Sequence, residues 1–150
     1  MKTLFLLAAL ISFMKAEITI EKIASINSYV NKRIVYKSDI QNYKQNDYWA
    51  TAAETLKKGS GDCEDYAILK YSMLVKAGMK PEDIHFIYTE YQGIGHVYLE
   101  VHFQSKVYYL DNIYQSIFFK RHRNMLDILV YNHDFKLKDK LKIALGAWYE

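Results

Sequence analysis

The sequence has one cysteine, one proline, no run of about 20 apolar residues and no large excess of either charge, and each scarcity excludes something. A single thiol makes no internal disulfide, so the chain lacks the cross-links that staple many small exported domains. One proline among six glycines leaves no low-complexity linker, and no internal repeat is visible. Without about 20 consecutive apolar residues, nothing reads as a transmembrane helix. Twenty basic residues face 17 acidic ones, and a local cluster such as Lys120-Arg121-His122-Arg123 reads as a solvated face. That balance gives no reason to expect nucleic acid or an anionic membrane as a partner.

What is present is globular. Hydrophobic residues make up 51% of the chain and charged ones 25%, which suits a packed core. A length of 150 residues corresponds to about one domain. Fourteen tyrosines stand out. Many lie in alternating runs such as His85-Phe86-Ile87-Tyr88 and Val107-Tyr108-Tyr109-Leu110, where amphipathic rings suit half-buried strands. Residues 1–16 read as an export signal: Lys2 gives a positive start, residues 4–13 are almost unbrokenly apolar, and Ala16 is small enough to precede a cut. An N-terminal core helix is the alternative. The mature domain then covers residues 17–150. Removing Lys2 and Lys15 from the basic residues leaves 18 against 17 acidic, a charge near +1.

Along the chain, Ile20, Ile23, Ala24, Ile26, Asn27 and Val30 approximate helical spacing and predict a helix over 19–32. Residues 35–48 read as irregular and polar. Thr51 and Glu54 form a capping box that opens a short helix, which Lys57-Lys58-Gly59 closes. Asp62 is placed to cap a helix beginning at Cys63, with Asp65 in the return position of a second box. Ala67, Ile68, Tyr71, Leu74 and Val75 share its inner face, and Gly78 ends it before Pro81. Period-2 strands follow over 84–90, 95–103 and 106–112. Residues 136–148 fit a helix or a strand.

The lone thiol is a buried inert group, an intermolecular linker or a reactive one. Cys63 sits in the first turn of a helix, where unpaired amides and the helix dipole favour an anion and lower thiol pKa values. Gly59-Ser60-Gly61 before it allows close backbone approach, and an amide at the helix start suits a developing oxyanion. A merely structural cysteine belongs mid-helix among apolar residues, not between Asp62 and Glu64. Of five histidines, His96 begins a strand and Asp111 ends the next. With a two-residue loop at Gln104-Ser105, Tyr98 pairs with Asp111, and His96 lies diagonally across on the same face. A one-residue change in the loop would separate them. The spacing therefore permits a Cys63–His96–Asp111 triad. His85, His102, His122 and His133 show no comparable carboxylate partner in a neighbouring strand; His102, on the same face of its strand as His96, is the one expected to line the site.

Asp47-Tyr-Trp49, the segment from Glu54 to Ala67 containing Gly61-Asp62-Cys63-Glu64-Asp65-Tyr66-Ala67, then Gly95-His96-Val97-Tyr98-Leu99 and Leu110-Asp111-Asn112, resemble the bacterial transglutaminase-like cysteine proteinases. The best-understood branch of that family is the LapG-type periplasmic protease. The resemblance covers residues 30–113. It implies an α+β, papain-like transglutaminase-type core, with the Cys-bearing helix packed on an antiparallel sheet, and it implies Cys63, His96 and Asp111 as the triad. It further implies that Asp62, Glu64 and Asp65 bind calcium, although capping alone accounts for them without a metal. Three carboxylates beside a thiol oppose its ionisation, and hard oxygen donors suit Ca²⁺. By the same resemblance the protein is a periplasmic endopeptidase that cuts a large surface adhesin to disperse a biofilm, sequestered by an inner-membrane cyclic di-GMP receptor. Acyl transfer to an amine, as in a transglutaminase or amidase, uses the same triad, and an inert binding module with a degenerate site is the non-enzymatic alternative. Ala52 departs from the family, which usually has proline there, and the tail after Asn112 has no match.

Overall fold

The computed structural model describes residues 17–91, 93–117 and 125–130. The segment read as an export signal and the tail over 136–148 lie outside them. Helix α1 (Ile20–Arg33) starts where the Thr19 hydroxyl accepts from the amide of Lys22. It buries Ile23, Ile26, Asn27 and Val30 along one stripe, the i, i+3, i+4, i+7 set of an amphipathic helix. The stretch expected to be irregular instead holds β1 (Val35–Tyr36) and α2 (Asp39–Tyr43). Strand β1 pairs in parallel with β2 (Ser60–Gly61). A two-residue ladder between distant segments leaves no periodic trace in the sequence, so local reading misses it.

Helix α3 (Ala52–Lys58) carries both bonds of the expected Thr51–Glu54 box and ends at Gly59, whose φ of 70° is left-handed. Helix α4 (Cys63–Lys76) follows directly after β2. A 3₁₀ turn at Pro81–Asp83 leads into a four-stranded antiparallel sheet: β3 (Ile84–Tyr91), β4 (Ile94–Phe103), β5 (Lys106–Leu110) and β6 (Met125–Val130), in the spatial order β5-β4-β3-β6. The first three match the expected strands to within a few residues; β6 was not anticipated.

The β4–β5 loop is the two-residue turn the spacing required. Gln104 and Ser105 have φ of 49° and 60°, and Phe103 pairs with Lys106 and Leu99 with Leu110. Positive φ at both positions matches the twist of a tight hairpin. Helices α1 and α4 cover one face of the sheet: Ile23, Ile68, Tyr71 and Leu74 pack with Phe86, Val97, Leu99, Val101 and Leu110. The alternate residues Ile87 and Tyr98 form a separate cluster with Tyr109 and Tyr114, as a period of two dictates. The arrangement is the expected α+β one. Among the described residues, no helix is long and apolar enough to cross a membrane.

Candidate active site

The thiol is placed by a tight junction. A Cβ on Gly61 would lie 2.6 Å from both Cβ and Oδ2 of Asp65, so only glycine lets β2 run this close to the first turn of α4. Asp62 stands at the N-cap position with extended backbone but makes no side-chain cap bond. The cap bond of the second box is therefore absent; Asp65 keeps its contact with the Asp62 backbone, and its Oδ1 accepts from the buried amide of Ala50 at 2.9 Å.

Cys63 is the first residue of α4, and its Sγ donates to Glu64 Oε2 at 3.1 Å. The backbone of Val97, the residue after His96, also bonds to this sulfur. Burial first, then the charge and hydrogen bond of Glu64, push the thiol far above its ordinary range, with only the Val97 contact opposing. Helix position alone predicted the reverse. Desolvation and adjacent carboxylates outweigh the half-charge of a helix dipole.

His96 and Asp111 meet as the hairpin register predicted. Nε2 of His96 lies 3.0 and 3.1 Å from the two carboxylate oxygens, and both residues are buried. The His96 ring stacks on Tyr98 with centroids 6.3 Å apart. Asp111 is fixed in turn: its Oδ1 accepts from the amide of Ile113 at 2.9 Å. Nδ2 of Asn31 donates to the carbonyls of Asp111 and Tyr114, both at 2.8 Å. Asn27 reaches the carbonyls of Tyr114 and Gln115 at 3.3 and 3.1 Å. Two asparagines of α1 thus tether the turn that carries Asp111. Sequence reasoning gave neither of them a role, although a polar Asn27 within the buried stripe of α1 was a visible signal.

The acidic group differs from the expected one. Carboxylate oxygens of Asp39, Asp62 and Glu64 lie within 4.8 Å of one another. Asp65 stays outside that trio, held by Ala50, and Asp39, missed in the sequence, replaces it. Asp39 arrives on α2, in the stretch that read as irregular, where it also accepts from the amide of Tyr48. Burial pushes Asp62 up to about 6. Burial and the Asp62 charge push Glu64 up to about 9, the two carboxyls sharing a hydrogen bond. Burial likewise raises Asp65 to about 8. Oδ1 of Asp62 and Oδ2 of Asp65 are buried with no hydrogen-bond partner among the described residues. The converging, desolvated oxygens of Asp39, Asp62 and Glu64, with a lone pair of Asp62 unused, fit a hard divalent cation such as Ca²⁺.

Lys70 lies two turns further along α4. Its side chain is fully buried, and its ammonium has no hydrogen-bond partner among the described residues. Burial lowers it to about 7, and the Asp111 charge works against that shift. The ammonium also lies 5.8 Å from the centre of the Tyr66 ring.

His102 does not line this site. It is exposed, with Nε2 2.8 Å from Glu100 Oε1, and its ring packs 4.8 Å from that of His85. The expectation that neither histidine has a carboxylate in a neighbouring strand also fails, because the register pairs His85 directly with Glu100. His122 and His133 lie outside the described residues.

The sequence profile of the bacterial transglutaminase-like cysteine proteinases matches residues 9–125. No curated protein matches the chain. Among solved structures, Legionella pneumophila LapG superposes with a TM-score of 0.65 at 23% identity, covering 81% of this chain and 76% of that one. An EGTA-treated form of the same protein gives 0.68 at 23% identity over 82% and 75%. A calcium-bound form gives 0.64 at 26% over 74% of this chain and 64% of the other. These likenesses are of fold, whereas the profile spans most of the sequence. The chain belongs to the bacterial transglutaminase-like cysteine proteinase family and is a cysteine peptidase of the transglutaminase-like kind.

Proposed function

We propose that the protein is an exported, periplasmic endopeptidase in which Cys63 is the nucleophile, His96 its base and Asp111 the group that orients the base. The observation that carries this is the meeting of the α4 tip with β4: the Cys63 sulfur contacts Val97, the neighbour of His96, and His96 is joined to Asp111. With Nε2 given to Asp111, Nδ1 takes the thiol proton. The sulfur then attacks a peptide carbonyl, and the oxyanion is met by amides at the start of α4. His96 returns its proton to the leaving amine. Water, deprotonated by the same imidazole, attacks the acyl-enzyme carbonyl and releases Cys63.

Asp39, Asp62 and Glu64 are the residues that would hold calcium. When bound there, it supplies positive charge beside a thiol that burial and these carboxylates otherwise keep protonated. The calcium-bound form of LapG supports this reading. By the same likeness, the substrate is the N-terminal retention region of a large surface adhesin, cut at a small-residue Ala-Ala site. The partner is an inner-membrane cyclic di-GMP receptor.

Incubating the mature chain with adhesin N-terminal fragments, with and without EGTA, tests the reading. Cleavage is expected with calcium and lost with EGTA. Cys63→Ala and His96→Ala each abolish it. Activity that survives His96→Ala removes the base, and activity unaffected by EGTA removes the metal.

A further inference from the structure

The outer face of the sheet carries a cluster that the peptidase reading does not use. His85 on β3 and Glu100 on β4 are direct cross-strand partners, and His102 is two residues beyond Glu100 on the same face. One ligand atom from each, His85 and His102 ring nitrogens and a Glu100 oxygen, lies within 4.8 Å of the other two. His102 Nε2 is 2.8 Å and His85 Nδ1 3.7 Å from the same oxygen, Glu100 Oε1. Those two distances bracket ~3.3 Å, the spacing of neighbouring donors in a tetrahedral site with metal–ligand bonds near 2.0 Å.

A second feature orients the donors. Nε2 of His85 lies 3.1 Å from the carbonyl of Glu82. A carbonyl only accepts, so Nε2 carries the proton and Nδ1 presents its lone pair to Glu100. Two acceptors then face each other 3.7 Å apart, an arrangement that a cation placed between them would satisfy. An imidazole whose outer N–H is tied to a backbone carbonyl is the usual way a protein sets the tautomer and angle of a metal-binding histidine.

We propose that His85 Nδ1, Glu100 Oε1 and His102 Nε2 form a three-donor site for Zn²⁺, with the fourth position open to water. Two imidazoles and one carboxylate suit a borderline transition ion, whereas calcium needs six to eight oxygens. The ion clips β3 to β4 and displaces the proton that His102 shares with Glu100. Glu100 and His102 lie four and six residues along β4 from His96, ~13 and ~20 Å at a strand rise of about 3.3 Å. The site is therefore separate from the thiol and does not depend on the peptidase reading.

The test titrates Zn²⁺ into the mature Cys63→Ser chain by calorimetry, with calcium in excess to occupy the carboxylate trio. One zinc per chain is expected, with a matching rise in melting temperature. The His85→Ala/His102→Ala double variant should bind at least about tenfold more weakly, as should Glu100→Gln, which alters a single partly exposed side chain and checks against misfolding. Metal-free circular-dichroism melts of both variants should match the parent. Absence of zinc uptake by the parent, or undiminished uptake by Glu100→Gln and the double variant, overturns the proposal.

Discussion

At the scale of single residues, Lys70 shows how far a buried charge departs from its ordinary behaviour. Its folded pKa near 7 lies below the unfolded value of 10.5, so between those limits the unfolded chain holds a proton that the folded one has released. Stability therefore rises with pH across that window, and the whole penalty is present below it. Lys70→Met is expected to remove the rise and to add about 2–4 kcal/mol at pH 7, less than the full shift because Asp111 loses a favourable neighbour. Urea unfolding at pH 6, 7 and 9 measures it. A Met variant no more stable than the parent at pH 6 would mean that the ammonium is satisfied where it sits.

Among elements, the telling contact is between α1 and the turn after β5. Asn31 donates two 2.8 Å bonds to carbonyls of that turn, so α1 acts as a brace for Asp111 as well as a core helix. Asn31→Ala should cost about 1–3 kcal/mol by leaving carbonyls unmet. It should also lower kcat with little change in KM, because the loosened carboxylate no longer steadies the imidazole. Thr51→Ala, which removes the cap of α3 for a cost of about 1 kcal/mol, is the control. It should destabilise without reducing kcat. Equal kcat losses in the two variants would reduce Asn31 to a general stabiliser.

Over the whole molecule, the buried acidic group sets much of the response to pH and, under the proposed function, to metal. Asp62, Asp65 and Glu64 have folded pKa values near 6, 8 and 9, all above their unfolded values. The folded chain binds protons there that the unfolded chain has lost. The stability this confers is complete below about pH 4 and falls as pH rises through the folded values. Between pH 5 and 7, below the window of Lys70, the metal-free melting temperature should decline. Calcium held by Asp39, Asp62 and Glu64, as proposed, would displace the protons of Asp62 and Glu64, so its stabilising increment should grow over the same range. Calorimetric melts in EGTA and in millimolar calcium follow both trends, and a calcium increment independent of pH would place the ion away from these carboxylates.

By itself the sequence determined the elements and the hairpin. Helical spacing located α1 and α4, capping signals located α3, and period-2 spacing located strands β3 to β5, because these signals are local to each element. The two-residue turn at Gln104-Ser105 put His96 and Asp111 on one face, since a fixed loop length fixes register. What only the tertiary structure decided were contacts between segments far apart in the chain. The pairing of β1 with β2, the arrival of Asp39 beside Asp62, the hold of Ala50 on Asp65, the asparagine tethers and the His85–Glu100–His102 cluster have no local periodicity to announce them. The thiol belongs with these. Its helix position was readable, but the burial and the Glu64 contact that raise its pKa exist only once α4 is packed against the sheet, where desolvation outweighs the dipole.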